Sequence, residues 1–261
     1  MIEKYIKLPQ KKISDQAILN FFLSKNINLD DSKIRKIEVK KNIYRPVLMD
    51  LYRLYNIISL NKRTSILEFG SGWSSVVIAK ALLENKTKIK NKKNPIYPKF
   101  DYHILENENF FLRHTKKKIK YFTAKNHNNK ISYYYSKCNL INYCGKFATE
   151  YKNLPSCNPD FIYLDGPDQY KIKNKINNFS VASSRFMPMV SDLLLIEYYL
   201  TKGTILLIDG RGANAQFLRD NFKRKWIYKY FKEYDQHLFY LNAESFGPKN
   251  DLLLKFYQSR N

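Results

Sequence analysis

Four short apolar runs in this chain each end on an acid or a glycine turn, and that recurrence constrains the fold more than any other feature. The runs are Ser65 to Phe69, Tyr102 to Leu105, Phe161 to Leu164 and Thr204 to Ile208. They are followed by Gly70-Ser71-Gly72, Glu106, Asp165-Gly166 and Asp209-Gly210. Near-continuous apolar runs of this length fit strands buried on both faces, as in a parallel sheet. Stretches of helical period lie between them, such as Val76, Val77, Ala79, Ala81 and Leu82 after the first. Alternation of strand and helix makes βαβ units, so the carboxyl ends of the strands share one rim.

A fifth run, Ile131 to Tyr135, adds a strand, and Trp226 to Phe231 and His237 to Leu241 are close enough to pair as an antiparallel hairpin. The predicted architecture is α/β: a doubly wound, mostly parallel seven-stranded sheet with a C-terminal antiparallel hairpin. Between the third and fourth strands the pattern is not simply helical. Phe147 to Lys152, flanked by Gly145 and Pro155, reads there as an extra short strand. A helix is expected over Ala213 to Phe222.

Residues 1–45 read as an N-terminal helical extension, with Ser14 or Asp15 capping a helix that carries Ile18, Leu19, Phe22 and Leu23. The extension is expected to pack against, or lid, the main domain, residues 46–261. Pro46 opens that domain with a second amphipathic helix through Val47, Leu48, Leu51, Leu54, Tyr55 and Ile58.

Composition narrows the partners. A net charge of +23 suits a polyanion. Yet the lysines are spread along the chain among asparagine, isoleucine and tyrosine, and the densest runs, Lys86 to Lys99 and Arg113 to Lys120, are expected in a surface loop and at a helix end. Asn85 to Lys99 as a whole reads as a low-complexity loop. Nucleic acid is therefore the lesser expectation. Cys138, Cys144 and Cys157 are irregularly spaced, and His103, His114, His127 and His237 form no pattern that sets two ligands on one helix face, which argues against a zinc enzyme. The longest apolar stretch, Leu193 to Leu200, is interrupted by Glu197 and is too short to span a membrane. The N-terminal residues lack a secretory pattern, so the cytoplasm is the expected location.

The rim acids carry the functional argument. Gly70 and Gly72 let the backbone turn sharply and approach a ligand, and the helix behind them offers unpaired N–H groups. Glu106 stands where an acid can accept hydrogen bonds from ribose hydroxyls. Asp165 and Asp209 end later strands on the same rim. So many carboxylates on one edge need a ligand, a cation or an arginine between them, and Arg185 and Arg211 are the available countercharges. A dinucleotide fingerprint is disfavoured, because Ser75 occupies its third glycine position and Gly72 to Glu106 is a long spacer.

Glu68-x-Gly70-x-Gly72, then Glu106 after the second strand, then Asp165 after the fourth, resembles the successive motifs of class I S-adenosylmethionine (SAM)-dependent methyltransferases, which are Rossmann-like. The resemblance covers roughly residues 46–241. It implies SAM as cofactor, with Gly70 and Gly72 passing its methionine part and Glu68 and Ser71 near its amino-acid end. The turn's continuation, Trp73 and Ser74, belongs to the same cofactor site. Glu106 is implied on the ribose, and Asp165 facing the transferred methyl.

Asp165 and Asp209 also look like the metal-ligating acids of catechol O-methyltransferase-type enzymes, which makes Mg²⁺ an expectation. Gly210 departs from that pattern where those enzymes carry an asparagine. Asp165, Asp168 and Asp209 are the candidate bases. The segment Gln169 to Pro188 is expected to cover the acceptor, with Tyr170, Arg185 and Arg211 binding it. The expected acceptor is a hydroxyl of a sugar, glycan or other small molecule. An RNA methyltransferase, with its basic charge gathered at the acceptor mouth, and a non-catalytic nucleotide-binding module are the alternatives.

Overall fold

The computed structural model describes residues 2–9, 13–90, 99–123 and 130–259. After a short 3-10 turn at Ile2–Lys4 come three α-helices: α1 (Asp15–Ser24), α2 (Ser32–Lys40) and α3 (Leu48–Leu60). Ser14 caps α1 by accepting from the Ala17 amide, and Asp31 caps α2 from the Lys33 and Ile34 amides. The strand and helix alternation follows as β1 (Ser65–Phe69), α4 (Trp73–Lys90), β2 (Asp101–Glu106), α5 (Asn109–Thr123) and β3 (Lys130–Tyr135). Two strands, β4 (Cys138–Tyr143) and β5 (Lys146–Tyr151), form a separate hairpin. The chain continues through β6 (Phe161–Leu164), α6 (Asp192–Ile196), β7 (Ile205–Asp209), α7 (Gly212–Asn221), β8 (Trp226–Phe231), β9 (Gln236–Leu241) and α8 (Pro248–Gln258).

The seven-stranded sheet has the order β3-β2-β1-β6-β7-β9-β8, parallel except that β9 runs antiparallel to both β7 and β8. From β1 the chain winds outward through β2 and β3, then returns to the other side of β1 for β6 and β7. The boundary between β1 and β6 is therefore the topological switch point, where doubly wound sheets bind ligands. Alternate strand residues feed two cores. Ile66, Ile104, Tyr163 and Leu207 join α1, α3, α4 and α5 on one face. Leu67, Leu105, Ile162 and Leu206 join the β4–β5 hairpin, α6 and α7 on the other. Each fully buried aliphatic or phenyl side chain contributes about 1.5–3 kcal/mol.

Several expectations change in detail. The N-terminal segment shares a core with the main domain: Ile2, Ile6, Ile18, Phe22, Ile27 and Ile34 are buried with α3 and α4. Between β3 and β6 the pattern gives a full hairpin rather than one short strand, because Cys138 and Leu140 pack inward and pair with Tyr151 and Thr149. The lysine-rich stretch expected as loop from Asn85 is helical to Lys90, since lysine and asparagine are tolerated on a helix whose inner face is fixed by Leu82 and Ile89; residues 91–98 of that loop lie outside the described residues, as does His127. Arg113 to Lys120 lies within α5 rather than at its end. Among the described residues no helix is long and apolar enough to cross a membrane.

At the start of α6, Asp192 is completely buried, and its Oδ1 accepts from the Tyr151 amide of β5 at 3.0 Å. Its Oδ2 makes no hydrogen bond, and burial pushes the acid up to about 8. An unfolded aspartate titrates near 4. Between roughly pH 4 and pH 8 the folded chain thus holds a proton that the unfolded chain has released, and stability falls as pH rises through that window. Asp192→Asn is expected to flatten the dependence and to leave the variant more stable than the parent at pH 8, by on the order of 1 kcal/mol. Urea midpoints between pH 5 and 9 measure this; parallel pH profiles for the two proteins would contradict it.

Candidate functional site at the sheet switch point

The turn after β1 and the turn after β6 touch backbone to backbone. Gly70 has a φ of +96°, and its amide donates to the Leu105 carbonyl. A Cβ on Gly70 would lie 3.0 Å from the backbone of Asp165 and Gly166, and one on Gly166 would lie 2.5 Å from the Gly70 nitrogen. Gly72 differs: a Cβ there meets nothing within 4 Å, so the fold alone does not require glycine at that position. The space opposite it belongs to a cavity of about 830 Å³, within the size range of sites that enclose a small-molecule ligand.

The cavity gathers most of the predicted residues. Gly70, Ser71, Gly72, Trp73 and Ser74 line it from the first turn, Glu106 from the second strand, and Asp165, Asp168, Asp209 and Arg211 from the later ones. Glu68 is the exception. It is fully buried behind the turn and does not reach the cavity. Its carboxyl accepts from the Ser74 and Ser75 hydroxyls, each at 2.6 Å, and from the Tyr102 hydroxyl, while burial pushes it up to about 7. Glu68 holds the first turn of α4 to the sheet, and so positions the residues that do face the cavity.

Glu106 combines two roles. Its Oε1 accepts from the Asn107 and Glu108 amides at 2.8 and 2.9 Å, capping the approach to α5, and its Oε2 accepts from the Ser71 hydroxyl at 2.8 Å. Burial raises this carboxyl to about 7. The Ser71 contact ties the end of β2 to the glycine turn across the cavity floor.

Arg211 is committed to structure. Its Nη2 donates to the Asp165 and Pro167 carbonyls at 2.8 and 3.3 Å, and its Nε to Asp165 Oδ1 at 3.4 Å, so it clamps the β6 turn, with its cis Gly166-Pro167 peptide, to the β7 turn. Asp168 also serves its own turn, accepting from the Tyr170 amide, while Asn107 holds its backbone from both sides. Tyr170 is half-exposed at the cavity edge. Arg185 lies apart from the main cavity, in a recess of about 390 Å³ with Ser184, Phe186 and Met187 that opens onto Asp165 and Asp209.

Other lining residues had no local signal in the sequence. The connection between α2 and α3 runs along the cavity, with Asn42 to Val47 among its walls, and α2 is tied down by the buried Glu38, whose Oε1 lies 3.2 Å from Lys118 Nζ. Lys118 in turn sits 4.6 Å from the centre of the Trp73 ring. Asp50 of α3 reaches the cavity too. Gln236 Nε2 donates to its Oδ1 at 3.4 Å, and Gln236 Oε1 accepts from Arg53 Nε at 2.8 Å. Burial and the nearby Asp209 charge push Asp50 up to about 7; burial and Asp165 push Asp209 up to about 6, although the Tyr163 hydroxyl donates to it at 2.7 Å. In sequence Asp50 reads as an ordinary first-turn helix acid.

The charge map of the cavity is the reverse of the chain's. Asp50, Glu106, Asp165, Asp168, Asp209 and Asp235 line it, against Arg45, Lys118 and Arg211. The donor set does not fit the expected Mg²⁺ site. Asp165 is paired with Arg211, Gly210 brings no side chain, and among the described residues no three of His, Cys, Asp and Glu come together as a metal site.

No protein-family model matches the sequence, and no curated protein matches it. Solved structures of similar shape include an O-methyltransferase from Bacillus cereus in complex with SAH, at 12% identity over 93% of this chain and 100% of that one, with a TM-score of 0.48. A putative caffeoyl-CoA O-methyltransferase from Staphylococcus aureus matches at 11% identity over 87% and 98%, with a TM-score of 0.49. A methyltransferase from Geobacter sulfurreducens matches at 10% identity over 88% and 100%, also at 0.49. At these values the neighbours assign no residue role and no substrate to this chain.

Proposed function

We propose that this protein is a class I SAM-dependent methyltransferase acting on a hydroxyl of a small molecule, with a sugar or glycan as the first acceptor class to test. One observation carries the reading: the glycine turn after β1, Glu106 after β2, Asp165 after β6 and Asp209 after β7 face a single cavity at the switch point of the sheet. Glu106 then takes the ribose hydroxyls in place of Ser71, and the open space at Gly72 admits the cofactor backbone.

Methyl transfer from a sulfonium is an in-line displacement. The acceptor oxygen forms the new C–O bond as the S–CH₃ bond breaks, its electron pair passes to sulfur, and the hydroxyl proton leaves to a carboxylate. Asp209 suits that last role, since a base near neutral pKa both ionises and accepts efficiently. The enclosed walls contribute mainly by holding the two reactants in line. Arg185, in the side recess, suits an acidic group on the acceptor.

An RNA acceptor is less well supported, because six carboxylates against three cations line the cavity and the basic charge does not gather there. Since the donor set does not fit Mg²⁺, methyl transfer is expected to keep its rate in EDTA, and a loss restored by Mg²⁺ would contradict this. The reading itself is tested by calorimetry with SAM and S-adenosylhomocysteine (SAH) and by isotopic methyl uptake into glycans, nucleotide sugars and RNA. Failure of the wild-type chain to bind either cofactor overturns it. Binding of both without uptake by any acceptor favours a non-catalytic nucleotide-binding module.

A further inference from the structure

We infer that Asp50, the acid supplied by the helix before the first strand, makes this cavity prefer the charged methyl donor over its neutral demethylated product; the inference rests on the cavity being a SAM site. SAM and SAH share every atom but the methyl group, and SAM alone carries a fixed positive charge at sulfur. Groups that distinguish the two by charge must therefore lie near that sulfur. On the reading above, the sulfur lies between the glycine turn and Asp165; Asp50 and Asp209 line the same cavity, close enough to Asp165 for the three charges to act on one another.

The three acids are not equally compensated. Asp165 has the Arg211 guanidinium, and Asp209 has the Tyr163 hydroxyl. Asp50 has only the long contact from the Gln236 amide, and among the described residues no cation lies within ion-pair distance of it. Arg53, one helical turn further on, acts on Asp50 through space without a hydrogen bond to it, buried beneath Tyr234 at 3.9 Å from that ring's centre and with its Nε spent on Gln236. A fixed cation set among these carboxylates relieves their mutual repulsion, and a neutral thioether does not. Asp50 enters from α3 rather than from the sheet rim, so the preference is a property of the N-terminal part of this chain.

The test is calorimetric titration of the full chain with SAM, SAH and sinefungin, which carries an ammonium group where SAM has its sulfonium methyl. The wild type is expected to bind SAM and sinefungin about tenfold more tightly than SAH. Asp50→Asn should cut that ratio at least threefold by weakening the two cationic ligands, with SAH affinity held within about twofold, and Asp50→Glu should restore it. Asp50→Ser serves as the second neutral variant should the asparagine form fail to fold. An unchanged ratio in the neutral variants, or equal weakening of all three ligands, overturns the inference and leaves the SAM reading standing. Failure of the wild type to bind any of them overturns both.

Discussion

Replacing Gly166 by alanine is expected to destabilise this protein by about 3 kcal/mol or more, a large share of the roughly 5–15 kcal/mol that holds a folded domain together. The added Cβ would stand 2.5 Å from the Gly70 nitrogen, 2.7 Å from its Cα and 2.8 Å from the Phe69 carbonyl carbon. All three are backbone atoms at the ends of central strands, so nothing flexible can yield. Relief requires β1 and β6 to separate at the switch point, where Asp165 N donates to the Phe69 carbonyl at 2.9 Å. The melting temperature should fall by roughly 6–12 °C. Gly72→Ala is the control: with no atom within 4 Å of its Cβ, its melting temperature should stay within about a degree of the parent. Equal melting temperatures for the two variants would show that the turns are not in contact.

Glu106→Ala is expected to weaken cofactor binding by roughly a hundredfold or more. Two ribose hydroxyls donating to one carboxylate are worth about 1.5–3 kcal/mol each, and every 1.4 kcal/mol is a factor of ten in affinity. The variant also loses the acceptor for the Asn107 and Glu108 amides, a cap-like loss of about 1 kcal/mol in stability. Ser71→Ala separates the two effects, because it frees Oε2 without touching the cap and should leave affinity equal or tighter. The wild-type pH profile gives an independent check. Burial sets the Glu106 carboxyl at about 7, and hydroxyl donors favour its ionised form, so cofactor affinity should weaken as pH falls below that value. Full affinity retained by Glu106→Ala would remove this residue from the site.

How much of this was legible in the sequence follows from how local each signal is. Strands β1, β2, β6 and β7 and their terminal acids are written in consecutive residues, because burial on both faces demands an unbroken apolar run and the rim demands a turn. The β4–β5 hairpin was half legible. Cys138-Asn139-Leu140-Ile141-Asn142-Tyr143 alternates too weakly to declare a strand, and its inward residues are identified only by the core they meet. Glu68 sits on the strand expected of it but does not reach the cavity, because period-two alternation turns it toward α4, where Ser74, Ser75 and Tyr102 surround it. Arg211 reads in the sequence as a countercharge, but its commitment to two backbone carbonyls depends on a turn 44 to 46 residues away. Asp50 and Gln236, 186 residues apart, meet only because the fold brings the start of β9, just after the cavity-lining Tyr234 and Asp235, against α3.

The opposition between a chain of net charge +23 and a cavity whose charged lining is mostly carboxylate has a kinetic consequence. A ligand of net positive charge, as SAM is, approaches against the field of the whole surface and is held by the field of the cavity alone. Salt screens the long-range part first, with a Debye length of about 10 Å at 0.1 M, and reaches the enclosed carboxylates much less. Rising ionic strength is therefore expected to speed the arrival of such a ligand while changing its residence time little. Capture and retention are thereby set by two separate populations of charge, one spread over the outside of the molecule and one gathered at the switch point of its sheet.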